Sequence, residues 1–319
     1  MSQTPAPPNR NLPSRGRLKR RSMQRLREGC VFAGLSFSGA FSILVTITII
    51  AILSVEAWRF FAQDRVTLSG FLFSTEWNPL AKDPEQKRFG VWPLMTGTLV
   101  VTVVAMAVAL PMGLVTAIYL SEYASQRIRA VLKPTLETLA GIPTVVYGFF
   151  ALTVITPALK TLHDGFNAYN AMSGGIAVGI LCLPMVSSLA EDALEAVPRS
   201  LREAAYGLGG TRFEVATKVV VPAALSGIVA SFLLAMARAI GETMIVALAV
   251  GSVAQLTIDP RDQMQTMTGY MVQMAGGDVS HFGPEYYSVY AVAAVLFVIT
   301  FALTIAGQFL RRWFREVYQ

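Results

Sequence analysis

The sequence predicts an all-α membrane protein with six transmembrane helices, and three observations support this fold class. Hydrophobic residues make up 54% of the 319 residues. Charged residues make up only 14%, against about 25% in an ordinary soluble domain. Six apolar stretches approach or exceed the roughly 20 residues that a membrane-spanning helix needs. These features exclude a soluble enzyme and a disordered chain, and the two cysteines, Cys30 and Cys182, provide neither a disulfide framework nor a metal site.

The six apolar stretches alternate with polar loops along the chain. They are Val31–Val55, Phe89–Ser121, Thr138–Leu159, Ala171–Ala190, Val219–Val250 and Tyr286–Leu310. The first carries no charge over its whole length, which exceeds the roughly 7–15 residues of a signal-peptide core. It therefore predicts an uncleaved membrane anchor.

The Lys and Arg residues of the loops predict the orientation in the membrane. With the N-terminal tail inside, the cytoplasmic segments hold 18 of these residues and the external segments hold 7. Both termini are therefore expected in the cytoplasm. The basic tail is explained as a topology signal beside anionic lipid, so its expected partner is membrane lipid and not nucleic acid.

The same reasoning divides the chain into functional segments. They are a basic cytoplasmic tail at 1–30 that is predicted to be disordered and is richest in proline over its first fifteen residues, a first transmembrane helix at 31–55, an external loop at 56–88, a five-helix core at 89–312 and a cytoplasmic C-terminus at 313–319. Gly175 and Gly179 form a pair of small residues that predicts close helix packing. Prolines interrupt the spans at four positions, Pro111, Pro143, Pro157 and Pro184. They either bend single helices or together line a pathway.

One internal loop carries a specific motif. Residues 199–222 read RSLREAAYGLGGTRFEVATKVVVP. Apolar residues at helical spacing, with Pro198 before them and Gly209–Gly210 after them, predict a short amphipathic helix on or just outside the membrane. Leu201, Ala204, Ala205 and Leu208 form its apolar face. By itself this pattern also suits a simple interfacial helix.

The motif resembles the EAA loop of bacterial ABC-importer permeases, which reads Glu-Ala-Ala, three residues, Gly, nine residues, Ile, one residue and Leu-Pro. Here Glu203-Ala204-Ala205, Gly209, Val219 and Val221-Pro222 keep the spacing, with Val in place of Ile and Leu. The resemblance implies a type I importer bundle of the MetI-like permease family with a cytoplasmic coupling helix. In that family the helix docks into a separate ATPase, so the implied coupling positions are Glu203, Ala204, Ala205 and Gly209.

Nucleotide and metal chemistry are expected elsewhere. A phosphate-binding P-loop needs Gly-Lys followed by Ser or Thr, and the sequence contains no Gly-Lys pair. We therefore expect no cofactor on this chain, and ATP with Mg in a partner ATPase. His163 and His281 form no zinc motif and are predicted to be solvent-exposed loop residues.

Two charges lie deep in the fifth span. Arg238 and Glu242 are four residues apart, so they share one face of a continuous helix and can pair. Charges at membrane depth usually face the bundle interior or a watery cavity. They form either a structural ion pair or part of a substrate path. On that path the Arg238 guanidinium suits a tetrahedral oxyanion, Glu242 holds or relays it, and Thr243 adds a neutral donor.

The segment Arg238–Met244 resembles the permease subunits of the high-affinity phosphate importer. Phe71–Pro79 and Gly141–Gly148, together with Met244, are similar to the PstC-type subunit rather than the PstA-type subunit. The similarity runs from about residue 31 to the end. It implies a non-catalytic permease subunit for inorganic phosphate in a bacterial inner membrane. The implied partners are a PstA-type sister permease, two PstB-type ATPase subunits and a periplasmic PstS-type phosphate-binding protein.

Three alternatives remain at the level of the sequence. A sulfate or molybdate importer subunit would share the EAA loop, but Phe71–Pro79 and Arg238–Met244 favour phosphate. A stand-alone secondary transporter or channel would need no ATPase-docking helix, so the loop at 199–222 argues against it. A membrane enzyme would need clustered catalytic residues, which the sequence lacks.

Overall fold

The computed structural model describes residues 15–63, 66–277 and 283–313, with side chains throughout except at 15–27, 84 and 311–313. The chain divides into two compact units, residues 1–54 and 55–319. The first unit contains most of the long first helix, and the second contains every other described element. The predicted C-terminal segment beyond residue 313, the first fourteen residues of the tail, and His281 lie outside the described residues.

The described elements are almost entirely helical. They are α1 (Arg15–Phe61), α2 (Leu68–Phe73), β1 (Trp77–Asn78), β2 (Arg88–Phe89), α3 (Trp92–Ile118), α4 (Gln126–Ala140), α5 (Thr144–Phe150), α6 (Thr156–Leu162), α7 (Ala171–Glu195), α8 (Arg199–Gly207), α9 (Arg212–Val215), α10 (Val221–Ala223), α11 (Leu225–Ile240), α12 (Met244–Ala249), α13 (Met267–Gly276) and α14 (Pro284–Trp313). The two short strands pair antiparallel, with Trp77 opposite Phe89. Single π-helical turns follow α3, α5 and α9.

Within the described residues, five helical stretches are long and apolar enough to cross a membrane, and a bent pair of helices makes a sixth. The five are Glu28–Phe61, Trp92–Tyr123, Thr144–Leu162, Ala171–Glu195 and Pro284–Leu310. The predicted all-α fold class is confirmed. The first helix begins at Arg15, so the second half of the predicted disordered tail has a helical backbone.

The polar side chains of α1 are compatible with an apolar surrounding. The hydroxyls of Ser38, Thr46 and Thr48 each donate to the backbone carbonyl four residues earlier, at 2.9–3.0 Å. A hydroxyl that is bonded within its own helix needs no water. This local bonding lets hydroxyl residues lie on a helix whose other exposed side chains are largely aliphatic or aromatic.

The predicted fifth span, Val219–Val250, is wrong as a single helix. A bend of 71° separates Arg212–Ala223 from α11, and the break lies at Ala224, two residues after Pro222. α11 then ends at Ile240, where the Gly241 N–H donates to the Ala237 carbonyl at 3.2 Å. A new helix, α12, starts at Met244. Apolar residues on both sides of each break hide these ends from a hydropathy pattern.

The third span also starts later than predicted, at Thr144 instead of Thr138. Gly141 caps the end of α4, and Pro143 precedes the first turn of α5. Pro143 therefore starts a helix and does not kink one. Pro157 lies in the first turn of α6, whereas α3 and α7 continue through Pro111 and Pro184.

The predicted small-residue packing is confirmed between α3 and α7. A Cβ on Gly175 would lie 2.6 Å from the Val104 Cβ, and one on Gly179 would lie 2.8 Å from the Ala105 carbonyl oxygen. From the other helix, a Cβ on Gly113 would lie 2.5 Å from the Val186 Cγ1. Such distances leave no room for a side chain, so the two backbones approach closely along much of their length.

The N-terminal end of α7 is fixed by a neighbouring loop, residues 250–266. The N–H groups of Ala171 and Met172 donate to carbonyl oxygens of this loop at 3.1 and 2.7 Å. The buried Asn170 side chain caps the helix by accepting from the Ser173 N–H at 2.8 Å. The first-turn donors that a helix leaves unpaired are thereby satisfied. In a separate cluster, the rings of Trp77 and Tyr270 pack edge to face at 4.9 Å.

Candidate functional site

The motif helix α8 ends in a turn that only glycine adopts easily. The Gly209 N–H donates to the Tyr206 carbonyl at 2.9 Å, and the Gly210 N–H donates to the Ala205 carbonyl at 3.1 Å. This pair of bonds is a Schellman ending, which requires a left-handed backbone one residue past the cap. Gly209 occupies that position with a φ of +85°. The glycine of the motif is therefore explained by the turn that stops the helix.

The predicted coupling positions lie largely on the exposed side of the loop. Glu203, Ala204 and Gly209 are exposed, and Ala205 is half-buried. Leu208 is 91% exposed, so the predicted apolar face is only partly correct. Leu201 and Ala205, four residues apart, are the two that pack against the bundle. An exposed leucine, an exposed carboxylate and a compact alanine surface on one short helix and its cap have the mixed character of a protein interface.

One charged residue fastens α8 to the bundle. The Arg202 guanidinium donates to the Leu194 carbonyl at 2.7 Å and the Val197 carbonyl at 2.9 Å, both at the C-terminal end of α7. It also pairs with the Glu122 carboxylate at 3.1 Å. The orphan carbonyls at a helix C-terminus carry partial negative charge, which favours a cation there. Arg202 thus joins three segments of the chain.

A second ion-pair cluster fastens α4 to the same end of α7. The fully buried Glu191 carboxylate lies 2.7 Å from Arg129 and 3.2 Å from Lys133. Arg129 also pairs with Glu195, and Lys133 pairs with Asp192 at 3.1 Å. The bond to Glu195, with the charge of Glu191, raises the pKa of Arg129 against the effect of burial. Burial lowers the pKa of Lys133, but its bonds to Asp192 and Glu191 outweigh this and raise it.

The shared helix face predicted for Arg238 and Glu242 is wrong, and the ion pair that it would have allowed is not present in the described residues. Arg238 lies in the last turn of α11, whereas Glu242 lies past its end. The break at Gly241 removes the shared helix face on which the prediction depended. Arg238 is exposed, and within the described part of the chain it has neither a hydrogen bond nor an ion pair. Its fork of N–H donors is free to bind an anion with two charge-assisted hydrogen bonds.

Glu242 is buried, 8% exposed, and its contacts are structural. Its carboxylate accepts from the Ile245 N–H at 3.3 Å, at the start of α12. Its carbonyl accepts from the Thr268 hydroxyl of α13 at 2.6 Å. Thr243, the third predicted pathway residue, is half-buried and donates its hydroxyl to the Gly241 carbonyl at 3.1 Å. Glu242 and Thr243 therefore shape the break that ends α11 beside Arg238.

Sequence reasoning missed the carboxylate partners of the two ion-pair clusters. It treated Arg129, Lys133 and Arg202 only as topology signals. Glu122 and Glu191 each directly follow the last residue of a predicted span, Ser121 and Ala190. Carboxylates at these boundaries could have indicated that the basic residues have fixed partners.

Of the two histidines, His163 is exposed as predicted, and its Nδ1 accepts from the Gly165 N–H at 2.9 Å.

Comparison with known proteins gives a consistent result. Residues 109–316 match the family model described as binding-protein-dependent transport system inner membrane component. The chain is 33% identical to a probable ABC transporter permease protein, YqgH, of Bacillus subtilis, over 84% of this chain and 85% of that one. It is 30% identical to the phosphate transport system permease protein PstC of Mesorhizobium japonicum, over 83% and 86%. It is 32% identical to PstA 1 of Mycobacterium tuberculosis, over 72% of each chain.

Solved structures share the fold at low sequence identity. A bacterial ABC transporter involved in the import of the polysaccharide alginate matches with a TM-score of 0.64, over 93% of this chain and 100% of that one, at 13% identity. The inward-facing MetNI methionine ABC transporter matches with a TM-score of 0.52, over 71% and 95%, at 18% identity. The chain therefore belongs to the family of binding-protein-dependent transport system inner membrane components, and it is a permease subunit and not an enzyme.

Proposed function

We propose that this chain is the PstC-type permease subunit of an ATP-driven importer of inorganic phosphate. It forms half of the translocation pathway and pairs with a PstA-type sister permease. Two PstB-type ATPase subunits bind ATP and Mg beneath the pair, and a PstS-type binding protein delivers phosphate from above. The observation that carries this proposal is the exposed, rigidly ended helix α8. The relatives named for phosphate transport, at 30–32% identity, support the cargo.

The coupling role rests on the exposed part of α8. Closure of the ATPase dimer would pull on the helix around Glu203 and rock the spans, so that the path alternates between the two sides of the membrane. Glu203→Lys should abolish uptake of radiolabelled phosphate into cells while membrane insertion stays normal. Gly209→Asp should do the same, and Gly209→Asn is its uncharged control of matched shape. Normal uptake by Glu203→Lys would count heavily against the docking role.

The pathway role of Arg238 rests on its exposure and its lack of a partner in the described residues. An unpaired guanidinium on an apolar helix is costly in lipid, so it should face a watery path or a neighbouring subunit. Arg238→Gln should reduce phosphate import while the four-component complex still assembles. Arg238→Lys keeps the charge without the planar fork and should retain part of the import. Loss of assembly in Arg238→Gln would instead assign a structural role.

The cargo and the energy source can be tested together in proteoliposomes that contain the whole complex. Phosphate import should require ATP and the binding protein, and a proton ionophore should not stop it. Stronger import of sulfate or molybdate than of phosphate would assign another oxyanion, which the generic name of the Bacillus relative leaves open. Solute flux through this chain alone would indicate a secondary transporter or channel.

The proposed orientation places both termini in the cytoplasm, together with α4 and α8. Reporter fusions to either terminus should be active only as cytoplasmic reporters. A cysteine placed in the loop at 251–266 should react with a membrane-impermeant thiol reagent added from outside. Labelling of a cysteine at Leu208 from outside the cell would invert the orientation and remove the ATPase-docking role of α8.

A further inference from the structure

The attachment of α8 depends unusually strongly on one side chain. None of its nine residues is buried, and its apolar contact is limited to Leu201 and Ala205. Arg202, by contrast, keeps only 18% of its side chain exposed and makes three polar contacts. Apart from the backbone connections to α7 and α9 and the packing of Leu201 and Ala205, the described contacts that can pass a load from α8 to the bundle are those of this guanidinium.

The acceptor of the ion pair lies on an unusual backbone. Glu122 belongs to the π-helical turn Tyr119–Tyr123, which continues α3. Its side chain is 7% exposed, and the Ser121 hydroxyl donates to the same carboxylate oxygen at 3.1 Å. The turn closes through a bond from the Ala124 N–H to the Tyr119 carbonyl at 2.8 Å.

The two helices that Arg202 joins behave as one packed element. α3 and α7 touch backbone to side chain at Gly113, Gly175 and Gly179, with no space for even a methyl group at these positions. α11 packs on the same pair, and the buried Cys182 of α7 directs its thiol at the Ala235 carbonyl of α11 at 3.8 Å. Ala235 lies one turn before Arg238. A displacement of α7 therefore reaches the part of α11 that carries the unpaired arginine.

We infer that Arg202 is the positioning residue that transmits movement of α8 to α3 and α7, with Glu122 as its fixed anchor. This inference rests on the proposed function, because it requires that an ATPase moves α8. Arg202 does not need to touch the ATPase, since its donors are directed at the bundle. Its loss should therefore uncouple ATP hydrolysis from transport and leave the docking surface of Glu203 and Ala204 in place.

The test uses the complete complex with its binding protein in proteoliposomes, and measures phosphate imported per ATP hydrolysed. Arg202→Met keeps the aliphatic stem and removes all three contacts. Arg199→Met, on the same helix, removes an exposed arginine that has no partner within the described residues. We expect Arg202→Met to lower the ratio of phosphate to ATP at least tenfold, with ATPase binding within twofold of wild type. Arg199→Met should change the ratio less than twofold.

Two further variants separate transmission from folding. Arg202→Lys can keep the pair with Glu122 but cannot reach all three acceptors, so it should restore part of the ratio. Glu122→Gln keeps an acceptor oxygen without the charge and should fall between wild type and Arg202→Met. The double variant Glu122→Gln with Arg202→Met should be no worse than Arg202→Met alone, because both act on one contact.

The outcomes distinguish this inference from the proposed function. If Glu203→Lys keeps the ATPase bound and phosphate import intact, the docking role of α8 in the proposed function fails. If Glu203→Lys behaves as proposed but Arg202→Met keeps a wild-type ratio of phosphate to ATP, only the transmission role fails. Equal loss of ATPase binding and of import in Arg202→Met and Arg202→Lys would also overturn it, because Arg202 would then only hold the fold.

Discussion

Substitutions at Gly209 separate two explanations for the glycine of the motif. The backbone there has a φ of +85°, so a side chain is strained by conformation. A Cβ at this position would meet nothing within 4 Å, so clashes inside the chain do not contribute. An L-residue other than Asn or Asp loses about 1–2 kcal/mol in this backbone region. That range corresponds to about 5–30-fold in the population of the native turn.

A graded series follows from this magnitude. Gly209→Asn should be tolerated, since Asn enters the left-handed region readily. Gly209→Ala should lower the affinity of the ATPase for the complex about 5–30-fold, and Gly209→Val should lower it further because its side chain is β-branched. Gly207→Ala is the control, because Gly207 is the last residue of α8 and also has nothing within 4 Å. There the added methyl should favour the helix by up to about 1 kcal/mol.

The assay is the affinity of the purified ATPase for the permease pair in nanodiscs, with phosphate uptake as the functional readout. From highest to lowest ATPase affinity, the expected order at position 209 is Gly, Asn, Ala and Val, and Gly207→Ala should have an affinity close to that of the wild type. The conformational explanation would be refuted if Gly209→Asn bound the ATPase more weakly than Gly209→Ala. It would also be refuted if Gly207→Ala lowered the ATPase affinity as much as Gly209→Ala. The partner would then be rejecting bulk on the docking surface, whatever the backbone angle.

Three further predictions concern stability. Gly179→Ala places a methyl 2.8 Å from the Ala105 carbonyl oxygen and should lower the free energy of unfolding by about 1–3 kcal/mol, measured by thermal unfolding. Gly34→Ala is the control, because nothing lies within 4 Å of the added methyl. Equal melting temperatures for the two variants would contradict the close packing of α3 on α7. Lys133→Met leaves the buried Glu191 with one cation fewer and should lower the free energy of unfolding by about 1.5–3 kcal/mol. The exposed Lys160→Met is the control and should produce no measurable change. Similar denaturation curves for the two variants would contradict a stabilising role of the ion-pair cluster. At residues 250–266, hydrogen bonds from Arg261 hold the pKa of Asp259 at about 2, below its ordinary 3.8. The ionised Asp259 stabilises the loop fully at pH values above 3.8, and this stabilisation is lost as the pH falls through about 2. The rate of hydrogen exchange in the loop, corrected for its intrinsic pH dependence, should therefore rise between these two pH values in the wild type. Asp259→Asn should show no such rise.

Much of the candidate site could be predicted because its information is local. The short helix of the EAA loop, its end at Gly209 and the exposure of Glu203 follow from residues within one short segment. The pairing of Gly175 and Gly179 with a neighbouring helix was equally accessible, since small residues at this spacing have few other uses in lipid. The partner helix was not accessible, because nothing in α7 specifies that Gly113 of α3 faces Val186.

The error at Arg238 and Glu242 shows the limit of periodicity. A spacing of four residues implies one face only if the helix continues, and the helix ends at Ile240. Its end depends on contacts from elsewhere in the chain, including the Thr268 hydroxyl that bonds the Glu242 carbonyl. A hydropathy profile cannot detect such a break, because Met244–Ala249 is as apolar as the helix before it.

By itself the sequence determined the membrane class, the approximate positions of five of the six spans, the motif at 199–222 and the family. These depend on composition, on runs of apolar residues and on fixed short spacings, all of which are properties of neighbours in the chain. Only the tertiary structure decided that Arg202 joins α8 to Glu122, that Glu191 is enclosed by Arg129 and Lys133, and that Arg238 has no partner in the described residues. Ion pairs between residues 58 to 80 positions apart in the sequence depend on how the helices pack, and packing is set by the whole chain.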